Sequence, residues 1–286
     1  MKFLKNRRAL SPVIAVILMF ILILAAIAIS LTFMGPTLSI FKDNSYNNSN
    51  HMYFISLDDT IHELINSPPP LIREVYIQQS EGSFFFDSNW LMFFYFREVG
   101  EEQQHLSIQQ NVSRVIHKST ATADYTQGEH RYLIGPEKQD YLMINGSSKL
   151  YNEISVLNES RTRGESSFLY LSLYYRYSLN INYQTEVSTD TEIYMLDIVH
   201  VNLILNETST PVSQKNIFLD VQYHGTRKTT YSTIVFNNDI YGEMQLFDDY
   251  GRAQTERPIY FPVSPNYSIH LLNIQMIEID IYITVK

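Results

Sequence analysis

Cysteine is missing from the sequence altogether. Its absence excludes disulfides, thiolate metal sites and cysteine nucleophiles, so any exported part must be held by its core and its backbone ladders. Glycine and proline are scarce, at 10 each in 286 residues, which excludes a collagen-like chain or a low-complexity linker. Positive charge is thin too. Lys and Arg total 21 against 30 Asp and Glu, for a net charge of −9, and Lys2, Lys5, Arg7 and Arg8 all lie at the very start. Beyond Arg8 the densest basic groups are Arg161–Arg163 and Arg227-Lys228. So acidic a remainder repels phosphate backbones, and no nucleic-acid partner is expected. Phosphate-loop, nucleophile-elbow and dinucleotide-binding glycine patterns are all absent, so no catalytic residue, enzyme activity or cofactor is expected.

What stands out instead is an apolar run. Pro12 to Phe33 forms a nearly uninterrupted stretch behind the four cations. As a helix it would extend about 33 Å, enough for a hydrocarbon core of about 30 Å. Ser11 and Pro12 suit a helix start, and Gly35-Pro36 predicts a stop or kink. The positive-inside rule keeps the cations cytosolic and sends the rest of the chain outward. Two ordinary readings compete: a secretion signal cut after Ala26-Ile27-Ala28, or a plain uncleaved anchor.

The residues around the start of the run carry a sharper signal. Arg7, Arg8, Ala9 and Leu10 lead into Ser11, Pro12, Val13 and Ile14, then Val16, Ile17, Leu18 and Met19. This order resembles the amino terminus of archaeal type IV pilins, over residues 5 to 35. The resemblance implies a basic leader read at Arg7, Arg8 and Ala9 and cut before Leu10 by a membrane prepilin peptidase. It implies a helix, marked by Ser11, Pro12, Val13, Ile14, Val16 and Ile17, that packs against other pilin subunits and meets a pilus assembly platform. It further implies an extracellular, pilin-like head serving adhesion or surface contact, on a subunit that is single-pass in the membrane until assembly. Ile14 stands where bacterial pilins carry glutamate, and Ala15 replaces the glycine frequent after this motif. Ala15, Ala25, Ala26 and Ala28 would let neighbouring helices approach closely. The alternative is a membrane-anchored extracellular binding domain that never polymerises.

The expected class is α+β: an N-terminal helix, then a predominantly antiparallel, β-sandwich-like head. Residues 1–9 form the leader, 10–35 the helix, 36–67 a linker with a second helical segment, and 68–286 the β-rich domain. The linker is the polar, Asn-rich span 39–50. Phe54, Leu57, Ile61, Leu64 and Ile65 then share one helical face, which Pro68–Pro70 ends. From Leu71 alternation takes over. Arg73–Gln79 and Phe84–Phe96 read as an early hairpin, and 100–140 as an insertion or subdomain boundary. Residues 169–183 read as one strand, with Leu169, Leu171, Leu173, Tyr175, Tyr177, Leu179, Ile181 and Tyr183 on one face. Ile277, Ile279, Ile281, Ile283 and Val285 point inward at the C-terminus. Further strands are predicted at Tyr141–Ile144, Lys149–Leu157, Ile193–Leu205, Ile217–Tyr223, Thr229–Phe236 and Ile259–Val263.

Few side chains suggest a site. His62–Asn66 begins like a zinc-protease helix, but Asn66 occupies the second histidine position. The eight histidines show no ligand spacing, His200 is expected to face outward and Asp197 inward, and no metal is expected. Phe247–Glu256 reads as a turn. Tyr170, Tyr174 and Tyr194 form a stripe expected to lie under a second layer. Asn47, Asn111, Asn145, Asn158, Asn206 and Asn266 head glycosylation sequons, in keeping with an exported domain.

Overall fold

The computed structural model describes residues 12–78, 82–101, 105–120, 130–134, 143–145, 152–159, 168–205, 212, 216–247, 253–255 and 259–286. Backbone contacts divide the chain into two units, Met1–Asn47 and Asn48–Lys286. One helix, α1 (Pro12–Ile65), contributes to both. It passes through Gly35-Pro36 and through the Asn-rich span without the expected break. Proline forfeits one intrahelical bond, and a helix already nucleated on both sides propagates through polar residues at little cost. At its C-terminal end, Asn66 N–H and Asn66 Nδ2 both donate to the His62 carbonyl, at 3.3 and 2.8 Å, and Ser67 Oγ donates to Glu63 at 2.8 Å. These bonds satisfy carbonyls that a helix terminus leaves free.

The second unit is built of strands: β1 (Leu71–Gln78), β2 (Ser83–Glu98), β3 (Leu106–Thr120), β4 (His130–Ile134), β5 (Met143–Asn145), β6 (Asn152–Glu159), β7 (Phe168–Tyr175), β8 (Tyr177–Glu186), β9 (Thr191–Leu205), β10 (Asn216–Thr230), β11 (Ile234–Phe236), β12 (Ile240–Phe247), β13 (Ala253–Thr255), β14 (Ile259–Phe261) and β15 (Ile269–Val285). A seven-stranded sheet runs β1-β10-β15-β9-β8-β5, with β11 also on β15. An eight-stranded sheet runs β13-β12-β2-β3-β7-β6-β4, with β14 on β12. Most pairs are antiparallel, as expected, but β15–β9 at the centre of the first sheet and β5–β8 are parallel.

Several local expectations change. β1 and β2 are not a hairpin: β1 pairs β10 in one sheet and β2 pairs β3 and β12 in the other. The span 100–140 is not an insertion where described, because β3 lies between β2 and β7. The two strands expected over 217–236 are instead the long β10 and the short β11. Gly225, with φ +130°, carries the β10 bulge between Tyr223 and Gly225. Residues 169–183 are two strands, and the chain leaves one sheet and enters the other at Arg176, which is itself buried.

Two apolar cores result. In the first, Phe54, Leu57, Ile61 and Leu64 of α1 pack with Ile217, Leu219 and Val221 of β10, Leu169, Leu171 and Leu173 of β7, and Phe84 and Phe86 of β2. Of the helical face read from the sequence, these four side chains are at most 1% exposed, while the fifth, Ile65, is only half-buried at its edge. The second core gathers Met92, Phe94 and Phe96 of β2, Ile240, Met244 and Leu246 of β12, and Leu272, Ile274 and Met276 of β15. β9 and β15 feed both. Leu196 and Ile198 enter one core and Val201 and Leu203 the other; Ile274 and Met276 are divided in the same way from Ile281 and Ile283. Their register shows no shift, so the two cores lie on opposite faces of this sheet. In β2 the change of face is made by a bulge between Asp87 and Trp90, where Arg114 pairs with Asp87 and stacks 3.8 Å over the Trp90 ring.

This division overturns three facings. His200 is buried, not outward, and Asp197 is half-buried while its neighbours Leu196 and Ile198 point into the core. Glu278 is buried and Ile277 is not. Of the tyrosine stripe, Tyr170 and Tyr174 are covered, and Tyr194 is half-buried against Tyr183, Phe236 and Phe261.

Candidate functional site

Arg7, Arg8, Ala9, Leu10 and Ser11 lie outside the described residues. Pro12, Val13 and Ile14 are helical, and Val16 and Ile17 of the same helix are 67% and 53% exposed. Ala15–Gly35 is 21 residues long and apolar enough to cross a membrane, about 31 Å as a helix. None of it is buried within the structure. Its hydroxyl at Thr32 is satisfied internally, Oγ1 donating to the Ala28 carbonyl at 2.8 Å. Such back-bonding suits an apolar surrounding, where an unpaired hydroxyl costs several kcal/mol.

Of the sequon asparagines, Asn47 is helical, Asn111 is exposed on β3, Asn266 is exposed in the turn before β15, and Asn145 and Asn158 lie on β5 and β6. Asn206 is outside the described residues. Asn111 borders a polar cleft of about 470 Å³, with Gln109, Asn202, Arg227 and Glu278 also on its wall. Within it Arg227 bridges to Glu278 at 2.8 Å, and burial raises the Glu278 carboxyl above its ordinary range despite that guanidinium.

The β2–β3 turn assembles a group that residue spacing did not reveal. β2 ends at Glu98, Gly100 turns the chain at φ +92°, and His105 N–H bonds back to the Phe96 carbonyl at 2.8 Å. Glu98, Glu101 and His105 thereby converge, with one donor atom of each inside a 4.8 Å span. Glu98 continues the inward alternation of Phe94 and Phe96, so its side chain is only 6% exposed, against 50% for Glu101 and 29% for His105. Its Oε2 accepts from Asn238 Nδ2 at 3.0 Å and from the Asn238 N–H at 3.3 Å. Its Oε1 faces His105 Nε2 at 3.5 Å, and Glu101 Oε2 stands 3.7 Å from the same nitrogen. Two carboxylates and an imidazole are a donor set for a divalent cation.

No family model, curated protein or solved structure matches the chain.

A second ionisable pair is structural. Glu192 and His270 are register neighbours on β9 and β15, both buried, with Nδ1 2.6 Å from Oε2. Burial opposes the Glu192 charge, but the Ser264 N–H, His270 and the Tyr183 hydroxyl outweigh it and hold the carboxyl below its ordinary value. Among the described residues no hydroxyl nucleophile hydrogen-bonds this imidazole, and Glu192 instead ties down the loop at Ser264. His62 belongs to the helix surface and lies 3.5 Å from Asp58, whose Oδ1 accepts the Tyr175 hydroxyl at 2.6 Å.

Proposed function

We propose that this chain is a structural, non-enzymatic subunit, minor or specialised, of an archaeal type IV pilus-like surface filament used for adhesion or surface contact. The observation that carries the reading is the junction Arg7-Arg8-Ala9-Leu10-Ser11-Pro12 before a helix whose Ala15–Gly35 span is apolar and uncovered. A helix of this kind can exchange lipid for copies of itself, since its backbone bonds are internal and no polar group is exposed by the move. The β-rich unit that follows supplies a body large enough to present a binding surface.

On this reading prepilin peptidase removes the leader, and the assembly platform and neighbouring subunits take up the helix. The head lies outside the cell membrane, where its sequon asparagines are candidates for glycosylation. Mass spectrometry of the mature amino terminus tests it. A chain beginning at Leu10 is expected. A start at Ile29 would identify a secretion signal, and an intact leader on a monomer in the bilayer would reduce the protein to an anchored β-domain.

A further inference from the structure

We propose that Glu98, Glu101 and His105 form a binding site for a divalent transition-metal ion, zinc foremost, at the β2–β3 turn. The separations argue for an ion between the groups. Direct N–H···O bonds close to about 2.7–3.2 Å, whereas His105 Nε2 stands 3.5 Å from Glu98 Oε1 and 3.7 Å from Glu101 Oε2. Ligands held about 2.0–2.2 Å from a tetrahedral zinc are about 3.3–3.6 Å apart. The two contacts of His105 are thus close to the spacing of ligands around one ion and longer than direct hydrogen bonds, and the two carboxylates lie within 4.8 Å of each other.

The surroundings support the same assignment. Glu98 is nearly enclosed, and a carboxylate at such a position needs compensating donors. Asn238 provides two of them to Oε2, which fixes the group and turns Oε1 toward the imidazole. That is the part an outer-sphere residue plays in a metal site. The turn is itself anchored, since Val99 N–H bonds to the Asp239 carbonyl at 2.7 Å. An imidazole nitrogen among only three donors suits zinc better than calcium, which takes six to eight oxygens. Three protein ligands leave a fourth position, on the side where Glu101 and His105 meet solvent, for water or a donor from another molecule.

The site stands independently of the filament reading. The test uses the full chain in detergent, stripped with EDTA and dialysed. Titration with zinc chloride by calorimetry is expected to give one ion per chain, and cobalt chloride is expected to give the intense visible absorption of a four-coordinate cobalt ion. His105→Ala should abolish the cobalt absorption and weaken zinc at least tenfold, while Asn238→Ala, which touches no ion, should weaken it about 10- to 100-fold. Far-UV circular dichroism matching the wild type certifies each variant. A wild-type chain giving no four-coordinate cobalt spectrum, or zinc isotherms identical in wild type and His105→Ala, would show that the three groups are only a surface ion-pair cluster and would overturn the proposal.

Discussion

His200 is enclosed in the β domain, its ring stacked on Tyr177 at 4.1 Å and 11°. Burial lowers its pKa to about 3, against a smaller opposing effect of its hydrogen bond with the Tyr175 backbone, so the folded protein holds it neutral. Between pH 6.5 and about 3 the unfolded chain takes up a proton here that the folded chain refuses. Stability therefore falls on acidification through this window, by up to about 1.4 kcal/mol per pH unit from this group. Glu192, whose carboxyl is depressed, adds a loss of the same sign as the pH drops through its folded value, while Glu278, whose carboxyl is raised, works the other way. Comparing variants isolates His200. His200→Phe keeps a ring against Tyr177 and removes the titration, so denaturant midpoints measured from pH 7 to pH 4.5 should fall less steeply than in the wild type. Parallel slopes would mean that the imidazole is solvated and ordinary.

At the scale of elements, the shared strands decide how the domain unfolds. Ile274 and Ile281 sit on one strand, β15, seven residues and so about 23 Å apart, and each is fully enclosed in a different core. Truncating either to Ala should cost about 2–5 kcal/mol. Because the sites share no neighbours, the double variant should lose close to the sum of the two. Because β9 and β15 run unbroken through both cores, the loss should appear in one cooperative denaturant transition, whereas two transitions would mean that the cores are separate folding units. Much of this architecture was legible in residue patterns. The spacing Phe54, Leu57, Ile61, Leu64 and Ile65 predicts the docked helical face, of which only Ile65 is left half-buried, and strict alternation predicts most strands. Alternation reports only which residues share a face within one strand, and it assumes one core. It therefore misplaced His200, Asp197 and Glu278, where a strand passes from serving one core to serving the other without a bulge. Nor does local pattern carry pairings such as Leu71 with Tyr223, or the change of sheet at Arg176. The Glu98, Glu101 and His105 group was hidden for a related reason. Its spacing, i, i+3 and i+7, is that of a helical face, yet the residues lie at the turn between two strands, and only the turn at Gly100 together with the bond from His105 to Phe96 brings the three together.

For the molecule as a whole, the division between residues 47 and 48 predicts what can be separated. The unit Asn48–Lys286 keeps Phe54, Leu57, Ile61 and Leu64, and with them a complete first core. Burial of each such side chain is worth about 1.5–3 kcal/mol, so the four together match a typical domain stability of about 5–15 kcal/mol. They also bring Asp58, which accepts the hydroxyl of the buried Tyr175. A fragment of residues 48–286 should accordingly stay in solution without detergent, with a cooperative melt and the near-UV dichroism of packed aromatics. A fragment of residues 67–286 retains every strand but uncovers the apolar side chains of β7 and β10 and leaves the Tyr175 hydroxyl without Asp58. It should aggregate, or lose its near-UV signal while keeping β structure. Equal melting temperatures for the two fragments would show that the helical segment only rests on the sheets, and the first core would then have to close over β7 and β10 by itself.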